Sequence, residues 1–115
     1  MNRTILFNFL LMAVRDLSMQ YPDRSTESVF WDWFLDQPGD IIGTAFYKFD
    51  VGVPFAFNKS DVTWLDWAKL GFTRPSGPQL RWLAAVQRAS RAGATWGAAV
   101  ARADEVFPVV PSVVA

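Results

Sequence analysis

Residues 78–106, PQLRWLAAVQRASRAGATWGAAVARADEV, decide the fold. Pro78 stands where proline suits a first helical turn, and Ala, Leu, Gln and Arg favour helix throughout. Trp82, Ala85, Val86, Ala89, Trp96 and Val100 recur at helical spacing and define a buried side. The reading is a helix from 78 to about 92 that continues or restarts at Thr95 and reaches 106. Gly93 and Thr95 mark the place for a kink or break.

Two features of this stretch bear on function. On a continuous helix Arg81, Arg88, Arg91 and Arg102 fall within about an 80° sector. Guanidinium forks pair bidentately with carboxylates and phosphates, so such a face could grip an acidic partner; a solvated helix face explains it equally. Ala85, Ala89, Gly93, Gly97 and Ala101 recur every four residues and would let another helix approach closely, within the subunit or between subunits. Four arginines on the same helix argue against lipid around that ridge.

Working outward, residues 61–70 read as another helix, with Ser60 as cap, Asp61 at the positive end of the dipole, Lys69 near the last carbonyls and Gly71 in the left-handed capping place. Trp64, Leu65, Ala68 and Trp67 form its expected buried face. Residues 26–36 read as a helix capped by Ser25 or Thr26, with Asp32 and Asp36 on the wet side. Gln37–Asp40 is a turn. Residues 3–20 form the first helix, ended by Tyr21-Pro22. Thr4, Asn8, Arg15 and Ser18 share one sector of it and apolar side chains cover the rest, which predicts burial on more than one side.

Between 41 and 58 the pattern changes. Ile41, Ile42, Ala45, Phe46 and Phe49 fit a helical face, but apolar residues then alternate, predicting extended chain from about 49 to 57. Pro54 confines any strand there to an edge. At the other end Phe107-Pro-Val-Val-Pro-Ser-Val-Val-Ala cannot be helical and reads as an extended apolar arm. The expected fold is mainly α: an irregular bundle of four to five helices over 1–106, a short extended segment, and a C-terminal arm over 107–115.

Composition narrows the chemistry. The 115 residues hold 11 basic and 11 acidic side chains, no Cys and no His. Disulfides, thiol nucleophiles, imidazole bases, Ser-His-Asp triads and most zinc or copper sites are therefore out. No phosphate loop, EF-hand pattern or dinucleotide fingerprint occurs, so no cofactor or small-molecule substrate is expected. Asp32, Asp36 and Asp66 lie among tryptophans, as paired carboxylates do in sugar-cleaving enzymes, but acids four apart on a helix are ordinarily solvated. Lys48, Lys59 and Lys69 sit where surface or cap roles suffice. Arg3 followed by the apolar run Thr4–Val14 resembles a short signal core, yet it lacks a cleavage site and is too short to span a membrane.

A net charge of zero argues against a nucleic-acid partner. The charge is unevenly spread: residues 1–58 carry four basic and seven acidic groups, residues 59–115 seven and four. Such a split can drive head-to-tail association, or simply neutralise itself within one domain. Ten Phe, six Trp and two Tyr are many for a core this small. Aromatic side chains beyond what a core can hide mark contact surfaces.

The expectation is a non-enzymatic structural or interaction subunit of a larger protein assembly, for example a small virion (phage) component, in a cytoplasmic or virion-associated setting. Its partners would be other protein subunits, met through Arg81, Arg88, Arg91, Arg102, Phe107, Val109, Val110 and Val113. Two alternatives stand beside it. One is a small inhibitor of a host enzyme acting through the arginine face. The other is a peripheral membrane protein held by helix one and the aromatic side chains.

Overall fold

Ser76 sets the boundary of the best-specified element. Its hydroxyl accepts from the Gln79 amide at 3.2 Å while Gln79 Oε1 accepts from the Ser76 amide at 2.9 Å, a reciprocal capping box ahead of Pro78. In the computed structural model, which describes residues 4–25, 31–32, 37–38, 41–49 and 62–107, the fold is mainly helical. The helices are α1 (Phe7–Gln20), α2 (Ile41–Lys48), α3 (Gly77–Arg91) and α4 (Trp96–Val106).

The long C-terminal stretch breaks rather than kinks. α3 ends at Arg91, Gly93 turns the chain at a φ of 102°, and Thr95 caps α4 by accepting from the Ala98 amide. The first amides of α4 find further acceptors outside the helix. Trp96 N donates to Arg24 O at 2.7 Å and Gly97 N to Pro22 O at 3.0 Å, so the turn after α1 closes the start of α4. Gly97 is there because a Cβ would lie 3.1 Å from both Cβ and O of Pro22. The four-residue ridge is thereby divided. Gly93 makes the reversal, Gly97 meets Pro22 and Ala101 is exposed, while Ala84 of α3 and Ala99 and Ala103 of α4 are buried in the core.

α1 ends at Tyr21 as expected but starts at Phe7, because residues before it are held differently. Ile5 bridges to Phe72 in parallel register, with Ile5 N donating to Gly71 O at 2.7 Å and Thr73 N to Ile5 O at 2.8 Å. Thr73 Oγ1 then accepts from Phe7 N at 2.9 Å and caps the helix from a distant strand of sequence. The polar sector of α1 is not its wet face. Ser18 is buried and Arg15 half-buried against α4, whereas Phe9, Asp16 and Met19 are exposed.

Two predicted helices need correction. Trp31–Asp32 is extended and pairs antiparallel with Gln37–Pro38, so the helix expected over 26–36 does not include them. Gln37 and Pro38, expected at the start of a turn, are strand residues in this pairing. The remainder of that segment lies outside the described residues. Residues 62–70 are not one helix either. Val62–Trp64 is a 3-10 turn, and a separate turn closes at Gly71, whose φ of 96° matches its left-handed reading. The expected buried face holds in part: Trp67 is buried and Leu65 packs against the core, while Trp64 is 82 % exposed and Ala68 exposed, and Val62 is buried instead. The extended segment expected at 49–57 lies outside the described residues beyond Phe49, which is in a turn.

The core is one cluster. Phe7, Phe46, Trp67 and Phe72 meet edge to face or tilted at 4.8–6.4 Å between ring centroids. Leu10, Leu11, Val14 and Leu17 of α1, Ile41 and Ile42 of α2, Trp82, Leu83 and Val86 of α3, and Trp96 and Val100 of α4 complete it. Each such side chain contributes about 1.5–3 kcal/mol of burial. Much of the aromatic surplus is therefore internal. Gln87 and Ser90 are the buried polar residues of α3, and Gln87 Oε1 accepts from Val62 N at 2.8 Å.

Candidate interaction surface

The break at Gly93 changes what the arginine stripe can do. Running antiparallel, α3 and α4 enclose an open groove of 530 Å³ lined by Ala85, Arg88, Ala89, Ala92, Ala94, Arg102 and Val106. Arg88 comes from α3 and Arg102 from α4, so two arginines of the stripe now face one concavity across a floor of alanines. The other two are placed elsewhere. Arg81 is exposed with its guanidinium 3.3 Å from the space beside Gly77, at the start of α3. Arg91 is exposed in the last turn of α3, where a cation suits the negative end of the dipole. Phe107 is half-buried and packs against the core of its own subunit. Val109, Val110 and Val113 lie outside the described residues.

Apolar side chains are exposed at several other points: Met19 (71 %), Tyr47 (62 %) and Trp64, with Leu6, Phe9, Tyr21 and Val106 about half exposed. Met19 and Tyr21 stand at the C-terminal end of α1 between the exposed acids Asp16 and Asp23. Tyr21 leans one side of its ring on Trp96, 6.4 Å between centroids, and the Arg24 guanidinium lies 4.7 Å from the centre of the same indole.

Among the described residues, a polar cluster joins three helices at positions that sequence reasoning did not single out. Arg15 of α1 donates from both Nη atoms to Asp104 of α4, at 2.6 and 2.9 Å, and Trp82 Nε1 of α3 donates to the same carboxylate at 2.9 Å. The Arg15 guanidinium also sits 5.6 Å from the Trp82 ring centre. These bonds, the Arg15 pair foremost, hold the Asp104 carboxyl below its ordinary range, against partial burial; the same pair holds Arg15 above its own. Every charge in the cluster is matched, so it is built for holding three helices together. A buried indole N–H on Trp82 that must find an acceptor was the available signal.

Of the carboxylates considered for catalysis, only the side chain of Asp66 is among the described residues. Asp66 is exposed and its Oδ1 accepts from Lys69 N at 3.2 Å, a turn-capping role. The side chains of Asp32 and Asp36 lie outside the described residues. Among the described residues no group of His, Cys, Asp and Glu could hold a metal ion, and no helix is long and apolar enough to cross a membrane.

Comparison with family models, curated proteins and solved structures finds no match to this chain.

Proposed function

We propose that the protein is a non-enzymatic interaction subunit of a larger protein assembly. One observation carries the reading: a domain that packs Phe7, Phe46, Phe72, Trp67, Trp82 and Trp96 inside still leaves Trp64, Met19 and Tyr47 largely in water. Isolated exposed apolar residues are ordinary, but side chains of this size at this exposure favour a covering partner. Aromatic residues and Met are enriched where proteins meet.

The test is the molar mass of the purified full chain by light scattering at several concentrations, together with recovery of stoichiometric partners on the tagged chain from the cells that make it. An oligomer or a stoichiometric partner is expected. A monodisperse monomer that recovers no such partner overturns the reading.

A second reading is supported by the meeting of Arg88 and Arg102 in one groove: a binder of a foreign acidic protein, such as an enzyme it inhibits. It predicts that Arg102→Gln weakens capture of that protein without altering the fold.

A further inference from the structure

Val106 is half exposed, lines the α3–α4 groove and stands two residues before Pro108. The stretch that follows, residues 108–115, reads Pro-Val-Val-Pro-Ser-Val-Val-Ala and carries no charged side chain. The groove and this stretch are thus neighbours along the chain, and each is an apolar surface that gains from cover.

Their chemistry and dimensions match. Ala85, Ala89 and Ala92 give the groove a floor of small side chains, which leaves room for branched ones. The described side chains that line it include donors but no acceptor. The arm has the opposite balance: every residue brings a backbone carbonyl, while Pro108 and Pro111 bring no N–H. Arg102 is exposed and forms no ion pair among the described residues, so its guanidinium is at hand for those carbonyls. Ala85 and Ala92 lie seven positions apart, about 10 Å at helical rise. Eight residues of polyproline-type chain span about 25 Å, enough to turn back and run the length of the groove. Attachment to α4 adds a high local concentration that no separate chain enjoys.

We propose that residues 108–115 turn back on their own molecule and cover the α3–α4 groove, with Val110 and Val113 on its alanines and Arg102 donating to carbonyls of the arm. Three residues per turn bring Val110 and Val113 to one side of a polyproline-type segment. An acidic partner of the groove must then displace the arm, which makes the arm a built-in competitor for that surface. The inference stands apart from the assembly reading, because Trp64, Met19 and Tyr47 are not among the lining residues.

The experiment exploits the absence of Cys from the chain. Ala89→Cys puts one thiol on the groove floor of the full chain, and its alkylation by iodoacetamide is timed by mass spectrometry. The same rate is measured after adding Val109→Ser, Val110→Ser and Val113→Ser, with circular dichroism to confirm folding. A covered thiol reacts only when the arm lifts, so the serine substitutions speed the reaction about tenfold or more. Ala68→Cys, exposed and outside the groove, reacts equally fast in both backgrounds. In a second arm, Ala89→Cys is paired with Val110→Cys or with Val113→Cys and oxidised. A disulfide within one chain forms in at least one of these pairs, about tenfold faster than when Ala68→Cys replaces Ala89→Cys, since only close thiols can be bridged. If Ala89→Cys does not fold, Ala85→Cys takes its place with the same expectations.

Equal alkylation rates with and without the serine substitutions overturn the inference, as do disulfides that form no faster from the groove than from position 68. A protected groove thiol whose disulfides join two chains also overturns it, and gives the groove to the arm of a second copy. None of these outcomes bears on the assembly reading, which the molar mass of the native chain decides.

Discussion

Arg15 and Asp104, 89 positions apart, are joined by two hydrogen bonds of 2.6 and 2.9 Å, and the indole of Trp82 donates to the same carboxylate. α1, α3 and α4 are thus registered by one carboxylate. The side chains keep 31 % and 38 % of their surface exposed, so water screens the pair. Asp104→Asn should cost about 1 kcal/mol, the upper end for exposed pairs, because the geometry is bidentate and Trp82 also loses a charged acceptor. Urea unfolding at neutral pH measures it.

The same pair predicts a pH effect with a definite sign. The folded state holds Asp104 below the ordinary carboxylate value of 3.8, so its contribution is full above that value. It fades as pH falls through the lower, folded-state value. Arg15 stays charged throughout. Unfolding curves of the native protein and Asp104→Asn should therefore converge as the pH is lowered into that range, the native protein losing more.

Two tryptophans should respond differently to the same change. Trp67 Nε1 is buried without a hydrogen-bond partner, among Phe7, Phe46 and Phe72. Trp67→Phe removes no bond and should cost less than about 1.5 kcal/mol, as a modest change of volume does. Trp82→Phe empties similar space and also breaks the bond to Asp104, and so should cost about 1 kcal/mol more. Thermal unfolding of the two variants side by side decides it.

Gly93 and Gly97 are required for different reasons. Gly93 needs its φ of 102° but has open space around it, so Gly93→Ala should cost about 1 kcal/mol and Gly93→Asn less. At Gly97 the backbone is helical but Pro22 is in the way. Gly97→Val should cost about 1–3 kcal/mol by forcing the turn after α1 off the start of α4. Faster amide exchange at Trp96 in Gly97→Val, and not in Gly93→Asn, would separate the two causes.

Gln87→Leu leaves the Val62 amide without its acceptor in the core. A loss of about 1–3 kcal/mol is expected, with quicker hydrogen exchange at Val62.

What could be read from the sequence was what is local. Pro78, the break expected at Gly93 and Thr95, and the left-handed Gly71 act within a few residues, and the start of α3, its end and the restart of α4 fall where Pro78, Gly93 and Thr95 place them. α1 was legible in its C-terminal stop but not its start, which is fixed by Thr73. The helices expected over 26–36 and 61–70 failed because apolar runs carry no period that separates a buried helix from a turn or hairpin. Trp67 is buried as expected, but Trp64, placed in the 3-10 turn, is exposed. The arginine stripe was legible as a pattern; that Arg88 and Arg102 share a groove depends on a reversal at Gly93, and Arg15–Asp104 on packing between opposite ends of the chain.

The reversal at Gly93 also orders events in time. Closing α3 onto α4 requires a loop of a few residues, whereas seating Phe7 on Thr73 spans 66 positions and Arg15 on Asp104 spans 89. Loop closure costs more chain entropy as the span grows, and local contacts form faster. Every residue lining the groove lies between Ala85 and Val106, inside that early-closing hairpin. During synthesis the groove can take shape as soon as its own two helices meet, with α1 docking later on a hairpin already in place.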